Sequence, residues 1–152
     1  MAVTISITLR SHSLASLRTR PADIGLTDLT YRFPLGDVVI KAGDVEFPMT
    51  RVTVFDFARA MLVAFAQARE SGTAEYDFTE GEGSIFLRVD GSALRVDCDF
   101  ADGFVESTVD EFQESLVGAG LSLVGQLRQS FPGILENSHV KALASALESA
   151  GR

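Results

Sequence analysis

Few residues in this chain have the type and spacing to do chemistry, and each stands in a setting that argues for a quieter role. Cys98 is the only cysteine. It alternates with Val96 and Phe100 on the apolar side of a strand-like run, between Asp97 and Asp99, whose charges raise a thiol pKa where a nucleophile needs it lowered. The two imidazoles, His12 and His139, lie in no His-x-x-x-His or His-Glu-x-x-His spacing. A general base that meets its partner only in three dimensions stays open. Asp97-Cys98-Asp99-Phe100-Ala101-Asp102-Gly103 has the outline of a calcium loop, but Ala101 holds the fifth position and Thr108 the twelfth, where a bidentate glutamate belongs. Gly118-Ala119-Gly120 with Gly125 lacks the GxGxxG spacing, a preceding parallel strand and a phosphate-binding lysine, so it reads as close helix packing. Asp99 and Glu106 are the remaining enzymatic idea, a carboxylate pair brought together across a hairpin in the manner of a glycosidase or aspartyl dyad. No residue is assigned as catalytic, and no metal or cofactor is expected.

Charge is the stronger signal. Residues 1–74 carry eight Lys/Arg against seven Asp/Glu, residues 75–115 carry two against twelve, and residues 116–152 carry three against two. The net −8 of the chain is therefore a net −10 confined to its middle. A field of that sign repels phosphate backbones and attracts basic proteins or cations, so nucleic acid is not the expected partner.

These residues must be held by a fold, and the stretch VTVFDFARAMLVAFAQARE, Val52 to Glu70, organises it. Thr53 is placed to cap a helix and Asp56 to meet the positive end of its dipole. Between Phe57 and Ala68 only Arg59 and Gln67 are polar, and with Asp56 and Glu70 they form a narrow stripe, so most of the cylinder is expected to be buried. A membrane span is excluded, because the unbroken apolar run Ala60 to Ala66 is about a third of the ~20 residues a bilayer needs. With 46% hydrophobic residues and eleven Phe, the 152 residues suffice for one self-supporting core. A lone cysteine rules out an internal disulfide, and MAVTISITLR alternates like a strand with no apolar signal core, so the chain reads as cytoplasmic.

Alternation also predicts strands over Val3–Leu9, Thr27–Phe33, Asp37–Lys41, Val45–Phe47 (before Pro48) and Glu75–Thr79. Ser11 to Thr27 is expected to be loop, with room for one helical turn. Asp90-Gly91 and Asp102-Gly103 each favour a two-residue hairpin turn. Leu87 then faces Leu94, Ile85 faces Val96, Phe100 faces Val105 and Cys98 faces Ser107. The opposite face carries Phe86, Arg88, Arg95, Asp97, Asp99, Glu106 and Thr108, with Asp99 opposite Glu106, a like-charge pair that costs stability. Thr108 or Asp110 can cap a helix to about Ser130 whose stripe is Phe112, Leu116, Ala119, Leu123 and Leu127. Pro132-Gly133 ends it, and Ser138 caps a last helix with Val140, Leu143, Ala144 and Leu147 inside. The expected fold is α+β: one domain, residues 1–152, a mainly antiparallel sheet of six to eight strands with a β-hairpin meander, a central helix at about 53–70 and two C-terminal helices. Phe57, Met61, Leu62, Phe65, Leu87, Leu94, Val96 and Phe100 are expected among the most buried residues.

The leading strand, the helix opening Thr53-Val54-Phe55-Asp56-Phe57 and the meander through Leu94-Arg95-Val96-Asp97-Cys98-Asp99-Phe100-Ala101-Asp102-Gly103 resemble uncharacterised small bacterial proteins of the polymorphic-toxin immunity type, over about residues 45–115. The resemblance implies a non-enzymatic protein that neutralises a basic toxin domain. On the residues themselves, the sheet face of Phe86, Arg88, Arg95, Asp97, Asp99 and Glu106 is the expected binding surface, for a basic protein partner. A small hydrolase using the clustered carboxylates, and a structural or oligomerising role that includes a homodimer, are the alternatives.

Overall fold

The computed structural model describes residues 2–10, 19–79 and 83–151. Residues 11–18 of the aperiodic stretch after Arg10, His12 among them, and most of the Glu80–Gly83 loop lie outside the described residues. The architecture is α+β, with seven strands in two antiparallel sheets among the described residues and the helices packed on them. The expected single sheet is thus two.

The first sheet has the order β1 (Thr4–Leu9), β2 (Leu35–Ala42), β3 (Val45–Thr53). Alternation works as expected in β1, where Ile5 and Ile7 are buried and Thr4, Ser6 and Thr8 are exposed. β3 runs well past Pro48, because it is an edge strand and an edge tolerates the missing N–H. A bulge follows. The pairing shifts by one residue between Gly36↔Val52 and Val38↔Met49, so Thr50 and Arg51 share one opposite residue, Asp37. Arg51 takes φ +56, and its amide donates to Asp37 Oδ1 at 3.2 Å, while Arg10 pairs with the same carboxylate at 3.0 Å.

Thr27–Phe33 is not a strand but α1 (Leu26–Tyr31) and its exit turn. Leu26, Leu29 and Phe33 recur at three and four, which suits a helix, and both Leu29 and Phe33 are buried. The Thr30 hydroxyl donates back to the Leu26 carbonyl at 2.7 Å.

The central helix, α2 (Val54–Ser71), touches both sheets, α1 and the helix that follows the meander. It ends on Gly72 at φ +94, as a left-handed C-terminal residue should. Its start differs from expectation. The Thr53 hydroxyl makes no cap bond and shares a hydrogen bond with the Thr79 hydroxyl at 3.0 Å, leaving Asp56 to hold the first turn, buried and paired to Arg59 at 3.0 Å. The dry face is also narrower, since Val63 is 65% exposed and Leu62 only half-buried.

The second sheet has the order β4 (Thr73–Asp77), β5 (Ser84–Asp90), β6 (Ala93–Cys98), β7 (Val105–Thr108). Tyr76, Ile85, Leu87, Leu94, Val96 and Val105 form its buried face. Phe100, expected there, lies beyond β6 and is half-buried. α3 (Val109–Ser130) starts from the Thr108 hydroxyl, which accepts from the Glu111 amide at 3.1 Å, and buries the whole expected stripe. It also closes the outer edge of β1. The Gln126 amide accepts from Leu9 N at 2.9 Å and donates to Ile7 O at 2.7 Å, and Ser115 donates to Val3 O at 2.6 Å, so side chains replace a missing strand. α4 (Ser138–Ala150) is capped by Asn137 rather than Ser138: its Oδ1 accepts from His139 and Val140, and its Nδ2 donates to Pro21 and Ile24 carbonyls. One continuous apolar core runs from Val3 to Leu147.

Candidate functional site

The outer face of the second sheet is built by the same alternation that fills its inner face. Strand register arranges it in rows across β4 to β7. The first row is Asp77 and Ser84, the second Glu75, Phe86 and Asp97, the third Thr73, Arg88, Arg95 and Glu106. Phe86, Arg88, Arg95, Asp97 and Glu106 thus share the expected face. Both hairpin registers nevertheless differ from expectation. The first turn is Gly91-Ser92, so Leu87 faces Val96 and Ile85 faces Cys98. The second connection spans residues 99–104, and Val96 faces Val105.

Asp99 does not oppose Glu106. It follows the end of β6 and its Oδ1 accepts from the Ser84 amide at 2.9 Å, while Glu106 faces Arg95. No carboxylate dyad forms there, and the expected repulsion becomes an attraction across the strands. The like-charge pair on this face is Arg88 and Arg95. Arg95 is turned away from it: Nε and Nη2 donate to the two Asp97 oxygens at 3.1 and 3.3 Å, and its guanidinium lies 3.7 Å from the centre of the Phe104 ring.

The face is therefore zoned. At one end Asp77 and Asp99 flank Ser84 and, one row along, Glu75 and Asp97 flank Phe86, which is 38% exposed. At the other end stand Arg88, Arg95 and Glu106 in one row, and the Arg95 guanidinium reaches over Phe104, itself 40% exposed. Among the described residues Glu75 and Glu106 join no ion pair, and Asp97 is held by Arg95. Glu75, Asp77 and Phe104 were not singled out in the sequence. The alternation of Glu75 and Asp77 around Tyr76 was a usable signal, whereas Phe104 depends on a connection whose length the Asp102-Gly103 pair disguised.

The other candidates separate in space. Burial pushes the Cys98 thiol up, Asp99 and Asp97 adding to it and backbone hydrogen bonds at Phe100 and Ala101 opposing. His139, on α4, lines an apolar groove with Phe55, Leu62, Val63 and Arg59, on the helical side of the molecule. Gly120 meets Leu147 of α4 closely, which accounts for it as packing. Among the described residues no group of three or more His, Cys, Asp or Glu could hold a metal ion, and no helix is long and apolar enough to cross a membrane. No protein-family model, curated protein or solved structure matches the chain.

Proposed function

We propose that this protein is a non-enzymatic binding module of the immunity type, working in the cytoplasm, whose outer β4–β7 face docks and neutralises a basic protein such as a toxin domain. The observation that carries the reading is the exposed Phe86 flanked by Glu75 and Asp97, with Asp77 and Asp99 one row along. Scattered acids would serve solubility, whereas an aromatic ring inside an acidic zone combines a contact that slows dissociation with a field that speeds encounter. The same field repels phosphate backbones, which favours protein over nucleic acid as the partner.

The test starts from a partner captured from the source cell and purified. Glu75→Lys with Asp77→Lys is expected to lower the association rate by about tenfold at 0.01 M salt and far less at 0.15 M, since the Debye length contracts from about 30 Å to about 8 Å. Phe86→Ala is expected to raise the dissociation rate at both salts. Association of the double reversal at the wild-type rate in 0.01 M salt would overturn the reading.

A further inference from the structure

We infer that Phe86 is the seat for an arginine side chain of the basic partner, its guanidinium stacked on the ring and paired with Glu75. This rests on the docking reading and deepens it from a charged surface to one recognised group. The protein holds a filled version of the same arrangement beside it: Arg95 stacks on Phe104 at 3.7 Å and pairs with Asp97 at 3.1 Å, so an arginine, an aromatic face and a carboxylate are already assembled on this sheet. Phe86 has the ring and the carboxylates without the cation. Glu75 and Asp97 stand directly across from it on the two neighbouring strands, close enough for their carboxylates to reach a group lying over the ring.

Electrostatics within the face choose which carboxylate acts. Asp97 gives both oxygens to Arg95, while Glu75 joins no ion pair among the described residues. Arg88, two residues along β5 on the same face, repels a cation approaching from its side and directs it toward Asp77 and Asp99. Arginine is favoured over lysine because a planar, weakly hydrated guanidinium can lie flat on an exposed ring and present a fork to a carboxylate, whereas an ammonium keeps its water.

The test titrates two capped pentapeptides, Gly-Arg-Gly-Arg-Gly and its lysine counterpart, into the ¹⁵N-labelled full chain at 0.02 M salt, read by amide chemical shifts. The arginine peptide is expected to move Phe86, Glu75 and their strand neighbours saturably, with an affinity about threefold above that of the lysine peptide. Phe86→Leu keeps an apolar side chain and removes the π face, so it is expected to abolish the preference while leaving lysine binding unchanged. Glu75→Gln is expected to weaken both peptides. Equal affinity for the two peptides on this face overturns the arginine seat and leaves the docking reading standing. Shifts centred elsewhere, such as at Glu111 and Glu114 on α3, overturn both.

Discussion

Three glycines in α3 make a quantitative test of how the helices pack. Gly118, Gly120 and Gly125 sit inside a 22-residue helix, where each costs roughly 1 kcal/mol against alanine. Their surroundings differ. A Cβ built on Gly118 or Gly125 meets nothing within 4 Å, whereas one on Gly120 falls 2.4 Å from Leu147 Cδ2, 2.9 Å from Cδ1 and 3.2 Å from Cγ. Leu147 is fully buried at the α3–α4 crossing, so it has no free direction in which to yield. Gly118→Ala and Gly125→Ala should each therefore stabilise the protein by about 0.5–1 kcal/mol, worth ~2–4 °C per kcal/mol in a domain of this size. Gly120→Ala gains the same propensity and loses about 1–3 kcal/mol to overpacking, so it should be neutral to destabilising by about 2 kcal/mol. Urea unfolding followed by circular dichroism measures all three, with unchanged m-values required for a clean reading. If Gly120→Ala stabilises as much as Gly118→Ala, the close crossing of α3 and α4 is refuted. Leu147→Ala combined with Gly120→Ala supplies the cycle: relief of the clash should make the second substitution less costly in that background.

Gln126→Ala removes both side-chain bonds to the β1 edge and exposes Leu9 N and Ile7 O, with an expected loss of about 2–3 kcal/mol in urea unfolding. Size-exclusion chromatography of the same variant should show concentration-dependent association through the uncovered edge. The Tyr76 hydroxyl is buried with no partner among the described residues, and burial first, then Asp56 and Asp77, pushes its pKa above the ordinary value. The unfolded chain then loses this proton near pH 10 while the folded chain keeps it, so stability falls as pH rises past about 10, by up to ~1.4 kcal/mol per pH unit. Tyr76→Phe should remove that part of the slope and be neutral or stabilising near neutral pH, as parallel unfolding curves from pH 7 to 11 would show. Phe65→Ala should cost ~3–5 kcal/mol in the same assay, because Phe65 is buried between α2 and α3 with its ring 5.3 Å from that of Phe112.

The face that carries the functional proposal was legible in the sequence, and its neighbour relations were not, for one physical reason. Side chains alternate with a period of two, so any even shift in pairing keeps every residue on its face and changes only what it opposes. The first hairpin turns at Gly91-Ser92, one residue beyond Asp90-Gly91, and the second connection spans residues 99–104. Both slips are even in register, so Phe86, Arg95, Asp97 and Glu106 kept their side while Asp99 lost Glu106 and Glu106 gained Arg95. Local turn preference could not see the stacking of Phe104 on Arg95 or the hold of Asp99 on the Ser84 amide, which go with the longer connection. The helices were legible where a stripe was long, as in α2 and α3, and lost where it spanned one turn, as in Leu26–Tyr31. Polar side chains that complete the fold across more than a hundred residues, Gln126 on β1 and Asn137 on the Pro21–Ile24 segment, have no local signature. This is why the net −10 of residues 75–115 is an incomplete guide to recognition: Asp110, Glu111 and Glu114 belong to α3, and those on the sheet face are divided by Arg88 and Arg95. What the register leaves on that face is a small acidic zone around one exposed ring. A partner selected by such a zone must offer a cation at a defined place, whereas one selected by net charge alone would need only to be basic.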